Sequence, residues 1–383
     1  MARPDPAQPH LWAVDVVRLL TFSAVIAVHT LAFTEQPDNR AVAGLMMLLQ
    51  YGREVFFALT GFVLVYTTMN RPLRPISFWR KRMLYVAVPY VVWTVVYYAY
   101  FVLGPAHMTP SWSGMGWDLL YGGAEYHLYF LLVTLQLYLA FPLISGFVHR
   151  TADRAVPILA GATAVNLAWL AAVAYVPAPG GGAGWLWLHA YEILPTYTMY
   201  VLAGCYAAVH LDTIQRVVTE HTRALWGIAG ASAALALLAY GVQLPFSAPR
   251  QADEVIQPAM IFSCVAAAIA VYLIGSKWAA GARRNQRTIE VLSDASFGVY
   301  LAHPLVLQVL TDYFGFGNLG QKLSPVLATV LGYAITAGGA TLISLAARRT
   351  PLSLALSGRP WRQQVKRRPA PVPALATAGM APC

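Results

Sequence analysis

Polar and apolar residues in this chain do not alternate at the period of a surface helix or strand; they come in blocks. Apolar runs of about 20 residues, the length a helix needs to cross the hydrocarbon core, recur from end to end. They lie at 11–33, 42–68, 83–103, 127–149, 155–176, 194–211, 224–243, 257–275, 295–312 and 326–346. Short polar stretches rich in Pro and Gly separate them. The pattern predicts an all-α fold, a polytopic integral membrane helix bundle of about ten transmembrane helices. Composition closes the alternatives: with 58% hydrophobic and 11% charged residues among 383, the chain is far from the usage of a soluble domain.

The formal net charge of +10 suggests nucleic acid only until its placement is read. If the N-terminus is inside, 21 of the 26 Lys and Arg residues fall on inner segments, among them Arg80, Lys81 and Arg82 and the basic run after 348. By the positive-inside rule both termini are cytoplasmic, and an even number of spans agrees. The charge therefore sets topology, and no nucleic-acid partner is implied.

The boundaries follow: 1–10 a cytoplasmic N-terminus, 11–347 the transmembrane domain, and 348–383 a basic, Pro-rich cytoplasmic tail expected to be disordered and to face the inner leaflet. The first apolar run is too long for a cleaved signal and leads into further spans, so it reads as a signal anchor. Cys205, Cys264 and Cys383 have no disulfide or zinc spacing, and no metal site is expected.

Within the first run, VDVVRLLTFSAVIAVHT places Asp15, Arg18 and His29 where only apolar residues are expected. At 100° per residue, Arg18 and His29 fall within about 20° of one helix face, with Asp15 close by. The three form one stripe spread over about 21 Å of helix. Ionisable groups at that depth cost a few kcal/mol, so the stripe must face a partner or a cavity. An Asp15–Arg18 pair that neutralises itself beside an interior histidine is the plain reading; a site is the other.

That first span resembles the opening of the acyltransferase-3 family of membrane acyltransferases, in which an arginine and a histidine separated by ten residues are the signature. VFFALTGFVLVY (Val55 to Tyr66) is similar to the family's second span, and SFWRKRMLYVAVPY (Ser77 to Tyr90) to the basic start of its third. HLYFLLVTLQLYLAFPL, LPTYTMYVLAGCY and LSDASFGVYLAHPLVL (Leu292 to Leu307) resemble the fourth, the sixth and a late span carrying Tyr-Leu-x-His-Pro. Two positions depart from the family's pattern: Tyr85 stands where a second arginine often follows Arg82, and Tyr129 where a tryptophan is frequent.

The resemblance implies transfer of an acyl group, usually acetyl from acetyl-CoA, to a hydroxyl of a carbohydrate, lipid-linked glycan or natural product, by a multi-pass protein of the cell membrane that modifies polysaccharides or the cell envelope. Acyl-CoA is then a donor substrate, and no permanently bound cofactor is expected. His29 is the expected general base, since an imidazole is competent to activate an alcohol near neutral pH. Arg18 would meet the donor or the developing oxyanion, held by Asp15. Arg80, Lys81 and Arg82 would bind the phosphates of coenzyme A. Glu125 and His127, among Tyr121, Tyr126 and Tyr129, and Tyr300 with His303, the last two in the inner half of their span, are candidates for binding the acceptor. His303 also has a structural reading, since Pro304 frees a backbone acceptor for it. Arg53 and Glu54 read more simply as a pair with loop groups than as part of this cavity. A transporter or flippase of glycans, moving substrate without acyl transfer, is the competing class.

Overall fold

Helices form where the apolar blocks lie, because in hydrocarbon a chain must satisfy its backbone hydrogen bonds internally. The computed structural model describes residues 9–34, 38–70, 73–316 and 324–361, and no strand occurs among them. Helix α1 (Trp12–Thr34) is followed by α2 (Arg40–Leu49) and α3 (Gly52–Thr68), a single apolar block broken at Gln50 and Tyr51. Next come α4 (Pro75–Leu103), the short α5 (Trp112–Tyr121), α6 (Tyr129–Arg150), α7 (Ala155–Tyr175) and the short α8 (Gly182–Leu188). The second half holds α9 (Thr198–Val209), α10 (Leu211–Glu220), α11 (Thr222–Gln243), the one-turn α12 (Pro249–Ala252), α13 (Met260–Ala280), α14 (Gln286–Phe314), α15 (Pro325–Ala347) and the short α16 (Ser353–Ser357).

Eight stretches of the described residues are long and apolar enough to cross a membrane: α1, α2 with α3, α4, α6, α7, α11, α13 and α15. The other two expected spans are also helical. Helix α9 has only 12 residues, and α14, with 29, carries Ser293, Asp294, Ser296 and His303 along its length. Leu143, Val156, Leu238 and Leu342 stand exposed on the long helices, as lipid-facing positions should. This is a multi-pass membrane protein.

Helix α1 is the axis of the bundle, packing against α13, α14, α15 and α3, so its polar stripe lies inside protein. Helix α3 packs most extensively on α9, and small residues set that approach. A Cβ on Gly204 would lie 1.7 Å from the Ala58 carbonyl oxygen, and one on Gly61 would lie 2.5 Å from that of Val201. Only glycine admits backbones this close. Around them Phe22, Ile26, Phe57, Leu64, Leu131 and Val299 form the buried core.

The C-terminal region differs from the expectation. Residues 348–361 are folded against the bundle: α16 packs on α4 and α14, and Asp294 pairs with Arg348 and Arg359. Of the segment read as a disordered tail, 348–361 is ordered structure, and 362–383 lie outside the described residues.

Candidate functional site

Two of the cavities along α1 are lined by its Arg18 and His29, one toward each end of the helix. The first, about 380 Å³, is lined by His29 with Arg53, Phe56, Tyr126, His127, Tyr129, Tyr191 and Tyr300. The second, about 260 Å³, is lined by Arg18, Arg82 and Arg359 with Ser293, Asp294 and Tyr138. Phe56, Phe130 and Tyr300 line both, an aromatic partition in which the Phe130 and Tyr300 rings are 5.5 Å apart. One helix thus presents a histidine to one chamber and an arginine to the other, eleven residues and about 16 Å along its axis.

At the histidine end, three imidazoles gather from three helices or their edges. His29 stacks on His303 at 5.3 Å and lies 4.4 Å from the Tyr126 ring, and His127 is 5.5 Å from His303. Pro304 has no N–H to give the Tyr300 carbonyl, and His303 Nδ1 donates to that oxygen at 2.6 Å instead. Because a carbonyl can only accept, the proton sits on Nδ1 and leaves Nε2 as an acceptor. That Nε2 and both ring nitrogens of His127 are buried without a well-placed hydrogen-bond partner among the described residues. Leaving such a group unpaired costs about 1–3 kcal/mol, which is tolerated where a polar ligand is to be met. Tyr300 Oη donates to the His127 carbonyl at 2.8 Å and ties α14 to the start of α6.

Glu125 is buried in the turn before α6, behind the lining, where its carboxylate accepts from the Tyr126 amide at 3.3 Å. Burial pushes its pKa up to about 7, against hydrogen bonds from the Tyr126 amide and the Gln308 side chain. Near neutral pH it is therefore partly protonated, able to donate as well as accept. Among the described residues no cluster of His, Cys, Asp and Glu is placed to hold a metal ion.

Arg53 owes its place to the break between α2 and α3. Gly52 starts α3 against α1, where a Cβ would lie 2.4 Å from Val25 Cγ2, and the next side chain enters the His29 chamber. Its guanidinium donates to Tyr129 Oη and to Glu54 Oε1, both at 2.9 Å, and lies over the Tyr191 ring at 5.3 Å. The simple pair with loop groups read from the sequence is thus one face of a residue that also lines the chamber. The sequence offered the cavity only as the weaker of two readings for Arg53, because its position depends on how closely α3 approaches α1.

At the arginine end, Arg18 Nη1 donates to Ser293 Oγ at 3.1 Å, and Ser293 in turn donates to Asp15 at 2.7 Å. Asp15 is 3.7 Å from Arg18 and 2.6 Å from His10 Nε2. The Asp15–Arg18 pair read from the sequence is present, and Ser293 also ties it across to α14. Of the expected basic triplet, Arg82 lines this cavity, whereas Arg80 and Lys81 are exposed. Arg359, beyond the last long helix, joins Arg18 and Arg82 from a segment the sequence reading assigned to the tail.

Other expected neighbours fall apart or move. Tyr121 lies away from the chamber, stacked on Trp117 and His189. Tyr300 and His303 are not in the inner half of their helix: α14 begins at Gln286, nine residues before the apolar run, so both sit near its midpoint, level with His29.

The acyltransferase-3 family model, an acyltransferase domain, matches residues 11–345. The chain belongs to this family. No curated protein and no solved structure matches it. As a member of the acyltransferase-3 family the chain is a membrane acyltransferase, and the match runs from α1 into the last turn of α15, taking in Asp15, Arg18, Arg53, His29, Arg82, His127 and His303. Arg359 lies outside it.

Proposed function

We propose that this acyltransferase moves an acyl group, acetyl first among the candidates, from acyl-CoA to a hydroxyl of a carbohydrate, lipid-linked glycan or natural product at the cell membrane. The observation that carries the reading is the pair of chambers on α1, one cationic and one lined by histidine and aromatic rings, divided by Phe56, Phe130 and Tyr300. The cationic chamber takes the donor from the cytoplasm. Arg82 and Arg18 meet its anionic and polar groups, and the thioester passes toward the partition. Arg80 and Lys81, exposed at the same end, attract the phosphates from a distance.

In the other chamber a sugar packs against Tyr126, Tyr129 and Tyr191, with Glu125, His127 and His303 supplying hydrogen bonds from behind the rings. His29 accepts the proton of the acceptor hydroxyl as its oxygen attacks the thioester carbonyl carbon. The developing oxyanion lies within the field of Arg53, the cation of that chamber. Collapse breaks the carbon–sulfur bond, and the departing thiolate takes the proton back from His29, so the histidine is restored with each turnover.

Purified protein given acetyl-CoA labelled in the acetyl group, together with an extract of glycans and lipids, should release free coenzyme A and move label into a product one acetyl heavier by mass spectrometry. Movement of glycan across a sealed bilayer with no consumption of acetyl-CoA would favour a transporter instead.

A further inference from the structure

We propose that the C-terminal strap carrying α16 is part of the donor site, and that Arg359 is a third arginine that grips the phosphates of acyl-CoA together with Arg18 and Arg82. The proposal rests on the reading of acyl-CoA as donor. Three guanidinium groups line one cavity of about 260 Å³, from the first helix, the fourth and the segment after the last. Asp294 is the carboxylate in that lining, and its two oxygens are already divided: one pairs with Arg348 and the other lies 2.6 Å from Arg359. Asp15, 3.7 Å from Arg18, answers that charge from the edge of the cavity, but Asp294 cannot neutralise Arg348 and Arg359 as well as Arg82, so the chamber keeps a surplus of positive charge. A surplus of guanidinium forks around a partly enclosed space is the arrangement that recognises phosphate oxygens in pairs.

The strap is built to hold Arg359 there. Trp93 Nε1 in α4 donates to the Leu356 carbonyl at 3.2 Å, and Ser353 Oγ donates to the Arg359 carbonyl at 2.8 Å. Gly358 turns the chain with φ of +64°, where any Cβ would also meet the Phe297 ring at 2.4 Å. Ser353 and Ser357 are buried, whereas the Arg359 side chain is 47% exposed, anchored at its base and open at its tip. A tether that only closed the bundle would need the α16 contacts and not a guanidinium at the cavity mouth.

The test uses the full-length protein purified in detergent, with calorimetric titration of free coenzyme A and, in the transfer assay, acetyl-CoA beside S-acetylpantetheine, which lacks the phosphates. Arg359→Gln should weaken coenzyme A binding and raise KM for acetyl-CoA about tenfold or more, as loss of a charge-assisted bond does, while kinetics with S-acetylpantetheine stay at the wild-type level. Arg359→Lys, which keeps the charge and the pair with Asp294, should fall between, and provides the reading should the glutamine variant fail to fold. Arg223→Gln, removing an exposed charge elsewhere, should change nothing. Wild-type affinity for coenzyme A in both Arg359 variants would overturn the proposal while leaving the donor reading intact. Equal impairment with both donors would also overturn it, showing a structural role. Failure of the wild-type protein to bind coenzyme A at all would overturn the donor reading and the strap's role with it.

Discussion

Single side chains in this protein are legible to the extent that one helix holds them. Asp15, Arg18 and His29 fall on one stripe by arithmetic alone, and α1 presents two of them, Arg18 and His29, to two separate chambers. Their partners come from elsewhere in the chain: Ser293 mediates between Asp15 and Arg18, and His303 stacks on His29, each across more than 270 residues. Buried carboxyls give a pH signature at this scale. Glu125, normally near 4.5, is raised by burial to about 7, and Asp253 is raised from 3.8 to about 7 by burial, with Glu254 adding and Arg250 opposing. The folded state therefore binds protons more tightly than the unfolded one. This contribution to stability is full below the unfolded values and is lost as pH rises through about 7. The thermal midpoint in detergent should fall between pH 5 and 8. Glu125→Gln should flatten that slope and Glu125→Gln/Asp253→Asn should flatten it further; an unchanged slope in the double variant would show that other groups set it.

At the scale of elements, the apolar blocks foretold every long helix, but they misplaced some ends and missed the break between α2 and α3. The first two turns of α14, Gln286 to Ser293, are polar because they lie at the basic end of the bundle, so hydropathy starts the helix too late and sets Tyr300 and His303 too deep. The broken α2–α3 block and the α16 strap were hidden for another reason: each depends on close packing against a helix distant in sequence, through Gly52 against Val25 and through Leu356 against Trp93. Arg53 and Arg359 are brought to the chambers by those two features. The α3–α9 contact offers a direct check on packing. Gly204→Val should cost several kcal/mol by overpacking against the Ala58 carbonyl, read as lost yield of monodisperse protein. Gly230→Ala, exposed on α11 with no atom within 4 Å of the new Cβ, should be neutral or slightly stabilising. Equal behaviour of the two variants would refute the packing account.

Across the whole molecule, charge and cavities point the same way. Arg82, Arg359 and the arginine chamber share the end at which the positive-inside rule places the cytoplasm, and the histidine chamber lies toward the other. The proposed chemistry is then vectorial, with donor and acceptor meeting at the aromatic partition from opposite sides. In sealed vesicles, acyl transfer should proceed when acetyl-CoA is supplied to the face bearing Arg80 to Arg82. Transfer only with donor on the opposite face would reverse the assignment of the chambers. The claim on which the rest depends is that His29 is the base, and transfer of labelled acetyl by purified His29→Ala against wild type tests it most directly. With elution and thermal midpoint matching the wild type, the variant should lose about 10²- to 10⁴-fold in kcat; transfer at the wild-type rate would contradict it.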